Sequence, residues 1–470
     1  MQENIKIIFE NKEEILNTIS HGDEITELLG LPSEKCALIG TEIKLGKSLG
    51  KGSFGEVFSI TFPGMGKKQY VVKKGALVLE VIFKPKSRIM EILKVGDFAL
   101  DYVMKWQTPE RRRLFNEAKN DNNVSILIPP KICRLSQDRL FTEIPNRNAR
   151  NGNKDHLIKI EKGSYLCSDA SFSEFVIGSY TGKLYRDGLC INFFNVYSMF
   201  TCVDYESNFS AIYNQYIFMD KIDNSMRKIS KCITLENYAK TNFKTFVTDE
   251  ICNGVFIQVM FAIAMYQNKY NISHNNLHDD NVFVEYVTKD TTFNSEKLID
   301  KEWYHYRCDN IDIYFPAIPV IVKIGDFGLS VKYSKPIVGN KAIFSSGHVD
   351  DGTGHWIPNI YLPSYDSLFF MVSIWLLLGR QTSWVKENKY GKLIPECVRV
   401  MCPTVPKSNN PDFDYFPAMV SQGYVRRSNG RPVLNNLTNV LPAISILKGP
   451  IANMYGKKPK TGTIITLGIL

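Results

Sequence analysis

His274-Asn275-Asn276-Leu277-His278-Asp279-Asp280-Asn281-Val282-Phe283-Val284 is the stretch on which the reading of this chain turns. Upstream lies the strongest helical pattern in the sequence, Asp249 to Tyr270. There Val255, Phe256, Val259, Met260 and Ile263 form one stripe at three- and four-residue spacing. Downstream the stretch runs into a strand. A second stretch, Val322-Lys323-Ile324-Gly325-Asp326-Phe327-Gly328-Leu329, puts an aspartate after a buried strand and before Phe-Gly. Hard oxygen ligands suit magnesium, so Asp326 is a candidate to hold that ion, with Asn281 as a second contact.

Nearer the N-terminus stands Gly50-Lys51-Gly52-Ser53-Phe54-Gly55-Glu56-Val57. Glycines let backbone N–H groups approach phosphate oxygens with no Cβ in the way. Strand-like sequence flanks the motif on both sides, which favours a hairpin folded over a nucleotide. Val71-Val72-Lys73 follows on the next strand, 73 − 50 = 23 residues after the first glycine. Lys73 can reach phosphates from there, whereas Lys74 points to the other face because side chains alternate along a strand.

At 470 residues the chain exceeds one ordinary domain of ~150 residues. With 44% hydrophobic and 22% charged residues it is globular rather than disordered. The net charge is 57 − 48 = +9, which suits a phosphate-bearing or acidic partner or simply a solvated basic surface. No specific nucleic-acid motif and no run of 18 apolar residues occurs, so no membrane segment is expected. The charged start (Glu3, Lys6, Glu10) is unlike a signal peptide. The ten cysteines are scattered, without a C-x-x-C pair, and read as free thiols in a reducing, cytoplasmic compartment.

Residues 1–40 read as a helical extension. Strands are expected from Ile43 to Val72, with a turn at Pro63-Gly64, and again at Val196–Cys202 and Tyr216–Met219. Residues 75–165 read as an irregular insertion with helix-like patches at Ile89–Leu100 and Arg111–Lys119. Residues 287–318 read as a second insertion. Helices are expected over Ser173–Gly188 and Asp366–Leu378.

Taken together, residues 45–442 resemble the protein-kinase superfamily, with the motifs in the right order. The resemblance implies an α+β, bilobal protein-kinase-like fold. Residues 41–222 would form a β-rich small lobe and residues 223–445 a mainly helical large lobe, with a tail at 446–470. It implies ATP and Mg²⁺ as cofactors and a protein substrate or partner. Gly50, Gly52, Ser53, Gly55, Val57 and Lys73 would bind ATP, with Met219 at the gatekeeper position and Asp220 and Ile222 in the hinge that holds adenine. Asp366 matches the buried aspartate that braces the catalytic loop, Gly352–Asn359 the end of an activation segment, and Arg431-Pro432 a late motif of the large lobe. Glu174 is the preferred ion-pair partner of Lys73. It needs 220 − 174 = 46 residues to the hinge, against 220 − 117 = 103 for its rival Glu117. His-x-x-Leu-His-x-x-Asn, with Asn192-Phe193 and Phe315-Pro316-Ala317-Ile318-Pro319, is similar to kinases of large cytoplasmic DNA viruses, which implies host cytoplasm or virion. Aminoglycoside phosphotransferases also use Leu-His at this place.

One departure matters. The family's catalytic aspartate falls on Asn276. An amide can accept a hydrogen bond but takes up no proton, and general-base help is worth ~10²–10⁴ in rate. Phosphoryl transfer leans mostly on positioning and charge, so a slow Ser/Thr-type kinase is the first expectation. An ATP-binding pseudokinase acting as scaffold is the second. Asn359 also stands where the family has a glutamate.

Overall fold

The structure is a computed structural model that describes residues 34–52, 55–65, 69–76, 80–85, 123–128, 133–134, 165–167, 170–205, 211–221, 234–241, 249–287, 302–335, 337–340, 357, 361–379, 393–402, 425–428, 431–434 and 440–470. Ser53, Glu117, Ile222, Asn359 and the two helix-like patches of the first insertion lie outside them, as does most of the N-terminal extension.

Helix and strand are mixed throughout. Strands β1 (Lys44–Gly52), β2 (Gly55–Thr61) and β3 (Tyr70–Ala76) form an antiparallel meander. β4 (Glu80–Pro85) pairs with β5 (Asn123–Ile128), and β6 (Cys133–Arg134) with β7 (Tyr165–Cys167). Helix α1 (Ala170–Arg186) leads to β8 (Val196–Tyr205) and β9 (Ala211–Asp220), which complete the first sheet in the order β1-β2-β3-β9-β8. Next come α2 (Leu235–Thr241), α3 (Asp249–Tyr270), β10 (Ile272–Ser273) and β11 (Val282–Tyr286). β12 (Glu302–Cys308) and β13 (Ile311–Pro316) form a hairpin, β14 (Val320–Ile324) pairs with β11, and β15 (Val331–Lys332) with β16 (Val338–Asn340). The chain continues through α4 (Tyr365–Gly379), α5 (Leu393–Met401), the pair β17 (Val425–Ser428) and β18 (Arg431–Leu434), and α6 (Ala443–Ile446). It ends in α7 (Ala452–Tyr455) and β19 (Thr463–Ile469).

Period two in the first sheet sorts its residues onto two faces. Ile60, Val72, Tyr216 and Phe218 join Leu38, Tyr197 and Phe200 in a small core on one face. Val57, Lys73 and Ile217 are cross-strand partners and so share the other. A much larger core is built around α3, whose Val255, Phe256, Val259, Met260 and Ile263 are fully buried. This helix is long and apolar enough to cross a membrane by composition, but 94% of that window is buried inside the protein.

Three readings from sequence need correction. Residues 75–165 hold the strand pair β4–β5 and the strand β6, which pairs with β7 at their edge, and are not only loop and helix. The partners β4 and β5 lie 123 − 85 = 38 positions apart, so no hairpin turn announces them. Cys36 and Cys202 are joined as a disulfide, with Cα atoms 5.5 Å apart, where free thiols were expected. The short helical turn Glu34–Leu38 packs onto β8 and brings together cysteines 166 positions apart, a pairing that local spacing cannot reveal. Among the described residues Cys190, Cys252, Cys308, Cys397 and Cys402 are free. Finally, the segments read as a second insertion and a tail share one sheet. β19 lies parallel to β12, and Tyr306 of that sheet stacks on Phe261 of α3 at 4.1 Å between ring centroids.

Candidate functional site

The glycine-rich hairpin is drawn tight by its register, with Gly50 opposite Val57 and Gly52 opposite Gly55. At Gly55 (φ +150°) a Cβ would stand 2.5 Å from the carbonyl oxygen of Lys74, so only glycine lets β2 lie this close to β3. Val57 faces Lys73 across the strands. Lys74 points the other way, its ammonium 5.7 Å above the Tyr216 ring.

Lys73 is buried and forms an ion pair with Glu174 of α1. Its ammonium also lies 3.2 Å from Oδ1 of Asp326. Burial alone would lower the Lys73 pKa, but Asp326 and Glu174 together raise it above the ordinary lysine value, so it stays charged. Asp326 shows the mirror effect. Burial pushes its carboxyl up, and Lys73, His274 and His278 outweigh that and hold it below the usual value. Three groups from β3, α1 and the end of β14, one ammonium and two carboxyls, therefore meet in one cluster.

Asp326 has a left-handed backbone (φ 60°, ψ 61°) that turns its side chain out of the strand line. The bend is held on both sides. Ile324 N–H donates to Asn192 O (2.9 Å), Gly325 N–H to Asn281 O (3.1 Å), and Gly325 O is 2.9 Å from His274 Nε2. The loop 274–281 is fixed from below by Asp366 of α4. Its carboxylate accepts the N–H groups of His274 (2.8 Å) and Asn275 (2.9 Å) and the hydroxyl of Tyr266 (2.8 Å). Burial raises Asp366 more than these donors lower it. Asn275, at φ 64°, donates through Nδ2 to Leu329 O at 2.9 Å. Burial lowers the His274 pKa from its ordinary value, against opposing pulls from Asp366, the Gly325 carbonyl and Asp326.

Asn276 is half-buried, and its side-chain amide makes no hydrogen bond among the described residues. Its backbone carbonyl accepts Nδ2–H of Asn281 at 2.8 Å, and among the described residues no donor meets Oδ1 of Asn281. His278 Nε2 stands 3.2 Å from the same amide nitrogen. The donor set fits a magnesium ion: a carboxylate and an amide oxygen, both hard, at adjoining turns. Among the described residues no cluster of three or more His, Cys, Asp or Glu could hold a metal by itself, so phosphate or water oxygens would have to complete the shell.

Met219 packs half-buried at the edge of the larger core. The Asp220 carboxylate is turned onto Tyr197, accepting its hydroxyl at 2.5 Å, while Asp220 N–H donates to Asn195 O at 3.0 Å. The sequence-predicted residues Gly50, Gly52, Gly55, Val57, Lys73, Glu174, Asp326 and Asn281 thus belong to one set of adjoining elements. Two residues of the same surroundings gave no sequence signal. Asn340 of β16 donates to Gly328 O at 2.8 Å, and Lys323 grips the loop after α1. Neither type of contact follows from a local pattern.

No family model matches the chain, and no curated protein matches it. Among solved structures it is similar to the kinase domain of Plasmodium PF14_0431, with 15% identity, a TM-score of 0.27, and coverage of 67% of this chain. The chain spans 59% of that neighbour's length. A likeness at this level decides nothing about the fold.

Proposed function

We propose that the chain is an ATP-dependent phosphotransferase of the protein-kinase type, with a bilobal arrangement, that moves the γ-phosphate of ATP to a protein hydroxyl. The observation that carries this reading is the buried Lys73 ammonium held between Glu174 and Asp326, on the strand that pairs with the glycine-rich hairpin. A lysine kept charged and oriented by two carboxylates is suited to the phosphates of a nucleotide. Asp326 and Asn281 would hold Mg²⁺, which when bound would neutralise phosphate charge. Asn276 would orient the acceptor hydroxyl by accepting its hydrogen bond without taking its proton, so turnover is slow. On this reading the host cytoplasm or the virion is its place of action, by the resemblance to kinases of large DNA viruses.

The free amide of Asn276 also favours a second reading, a nucleotide-binding pseudokinase. A radiolabel assay with Mg·ATP and a basic protein substrate, run beside thermal shift, separates them. Saturation at ~100 times Kd adds ~2.7 kcal/mol of stability. A shift with label transfer, both lost in Asp326→Ala, supports the kinase. A shift without transfer supports the pseudokinase, and no shift removes the ATP site.

A further inference from the structure

The loop that follows α1 is gripped from two directions. On one side is β19: Ile469 N–H donates to Leu189 O (2.9 Å) and Ile191 N–H to Leu467 O (3.1 Å). Contact there is close, since a Cβ on Gly468 would meet Phe261 at 2.5 Å and Leu189 O at 2.9 Å. On the other side is one lysine. Lys323, buried on β14, donates from Nζ to Ile191 O (2.7 Å) and Phe193 O (3.2 Å). Its ammonium lies 4.4 Å from the ring centroid of Tyr185, in the last turn of α1, and 3.8 Å from the Glu285 carboxylate of β11. Asn192, between the two carbonyls, donates to Val322 O at 2.8 Å and to Gln258 Oε1 at 3.1 Å.

Lys323 stands three residues before Asp326, on the strand that delivers it. The carbonyls that it holds lie in the loop directly after the helix that delivers Glu174, and the ring lies in the last turn of that helix. A buried ammonium is an expensive way to fasten two segments. Burial depresses its pKa despite Glu285, and a methionine of similar length would fill the space. What the charge adds is direction, because two backbone carbonyls must point at one nitrogen.

We propose that Lys323 is a positioning residue that couples β14 to the end of α1 and so sets the placement of Glu174 and Asp326 about Lys73. The ammonium acts through these two segments: among the described residues it makes no hydrogen bond or ion pair with Lys73, Glu174 or Asp326. Its consequence for nucleotide affinity rests on the reading under Proposed function; its consequence for Lys73 does not.

The test is the rate at which an amine-reactive acylating reagent labels Lys73, read by peptide mass spectrometry in the full chain without nucleotide. Loosening α1 weakens the ion pair, exposes the amine and lowers its pKa, and all three changes speed labelling. Lys323→Met should raise the rate about 10-fold, the ~1.4 kcal/mol scale of one charge-assisted hydrogen bond. Lys323→Arg, which can still donate to both carbonyls, should restore most of the protection. Should Lys323→Met fail to fold, Tyr185→Leu, at a site 37% exposed, removes only the ring beneath the ammonium and should raise labelling by a smaller factor. Labelling unchanged in the folded variants overturns the proposal. Absence of a Mg·ATP thermal shift in the wild type would instead overturn the nucleotide reading and leave the labelling result standing.

Discussion

Asp279 and Ser373 hold each other by two hydrogen bonds: the serine hydroxyl donates to Oδ1 at 2.7 Å, and the aspartate N–H donates to the serine oxygen at 3.0 Å. The carboxylate nearest in sequence to Asn276 is thereby committed to α4. Its neighbour Asp280 accepts from Thr234 at 3.2 Å, on the side of α2. On the proposed phosphotransferase reading, neither is placed to take the proton that Asn276 cannot.

Asn276→Asp should therefore raise phosphoryl transfer 10-fold or more, within the ~10²–10⁴ span of general-base catalysis. Asp279→Asn should leave the rate within about twofold, since its carboxylate serves α4. Initial rates at one ATP concentration check both. Robust wild-type turnover that is unchanged by Asn276→Asp would show that another group is the base or that chemistry is not limiting.

Lys73→Met should reverse a pH dependence. In the wild type the folded-state pKa of Asp326 is depressed, so its contribution to stability is present above the unfolded value of ~4 and is lost as pH falls below it. Without the ammonium, Glu174 and Asp326 are buried like charges and both carboxyls move upward. Stability then falls as pH rises above ~4, and the variant loses about 3–5 kcal/mol at neutral pH. Glu174→Gln should cost less, because Lys73 keeps Asp326. Urea midpoints at pH 5 and pH 8 distinguish the cases; parallel profiles for wild type and Lys73→Met would contradict this account.

Asp280 offers a second titration. Partial burial, then the Glu236 carboxyl on α2, then Asp279, push its pKa up to about 7, against a smaller lowering by Thr234. A raised carboxyl binds its proton in the folded state. Its stabilising effect is full below the unfolded pKa of ~4 and disappears as pH rises through about 7. Asp280→Asn should flatten the stability profile across that window and make the protein more stable than wild type above it. Equal slopes in denaturation series from pH 5 to pH 8 would exclude this effect.

The disulfide can be tested by mass. Non-reducing digestion should yield one linked peptide pair containing Cys36 and Cys202, and alkylation under denaturing conditions should modify neither. Cys202→Ser should lower stability by about 2–5 kcal/mol, the usual range for a native bridge. Quantitative alkylation of Cys36 in unreduced protein would show that the bond does not form.

Much of this was legible in the sequence, and the reason is locality. Helix α3 was found to the residue because the stripe from Val255 to Ile263 sits inside an unbroken helical pattern of 22 residues. Glu174 was separated from Glu117 by counting to the expected hinge, and the structure pairs Glu174 with Lys73. What stayed hidden depends on partners chosen across the fold. Lys323 was quoted within a motif, but a lysine on a strand gives no sign that it will bury its ammonium against two carbonyls. The Asp279–Ser373 bond and the Cys36–Cys202 bridge are hidden for the same reason. Each joins residues whose own surroundings in sequence are ordinary.

The parallel contact between β12 and β19 has a kinetic consequence. Its first residue pair is 463 − 302 = 161 positions apart, and parallel strands cannot be joined by a short turn. Closing so long a loop costs little more than closing a shorter one, about 0.6 kcal/mol per doubling of length, so the separation takes little from the stability of the contact. Reaching it is slow, because the search must finish before any bond of the pairing forms. Until then the outer edge of β12 is unpaired, a surface on which other chains can add strands. Refolding yield should therefore fall with protein concentration, and a short peptide of residues 463–469 added in excess would compete for that edge during refolding.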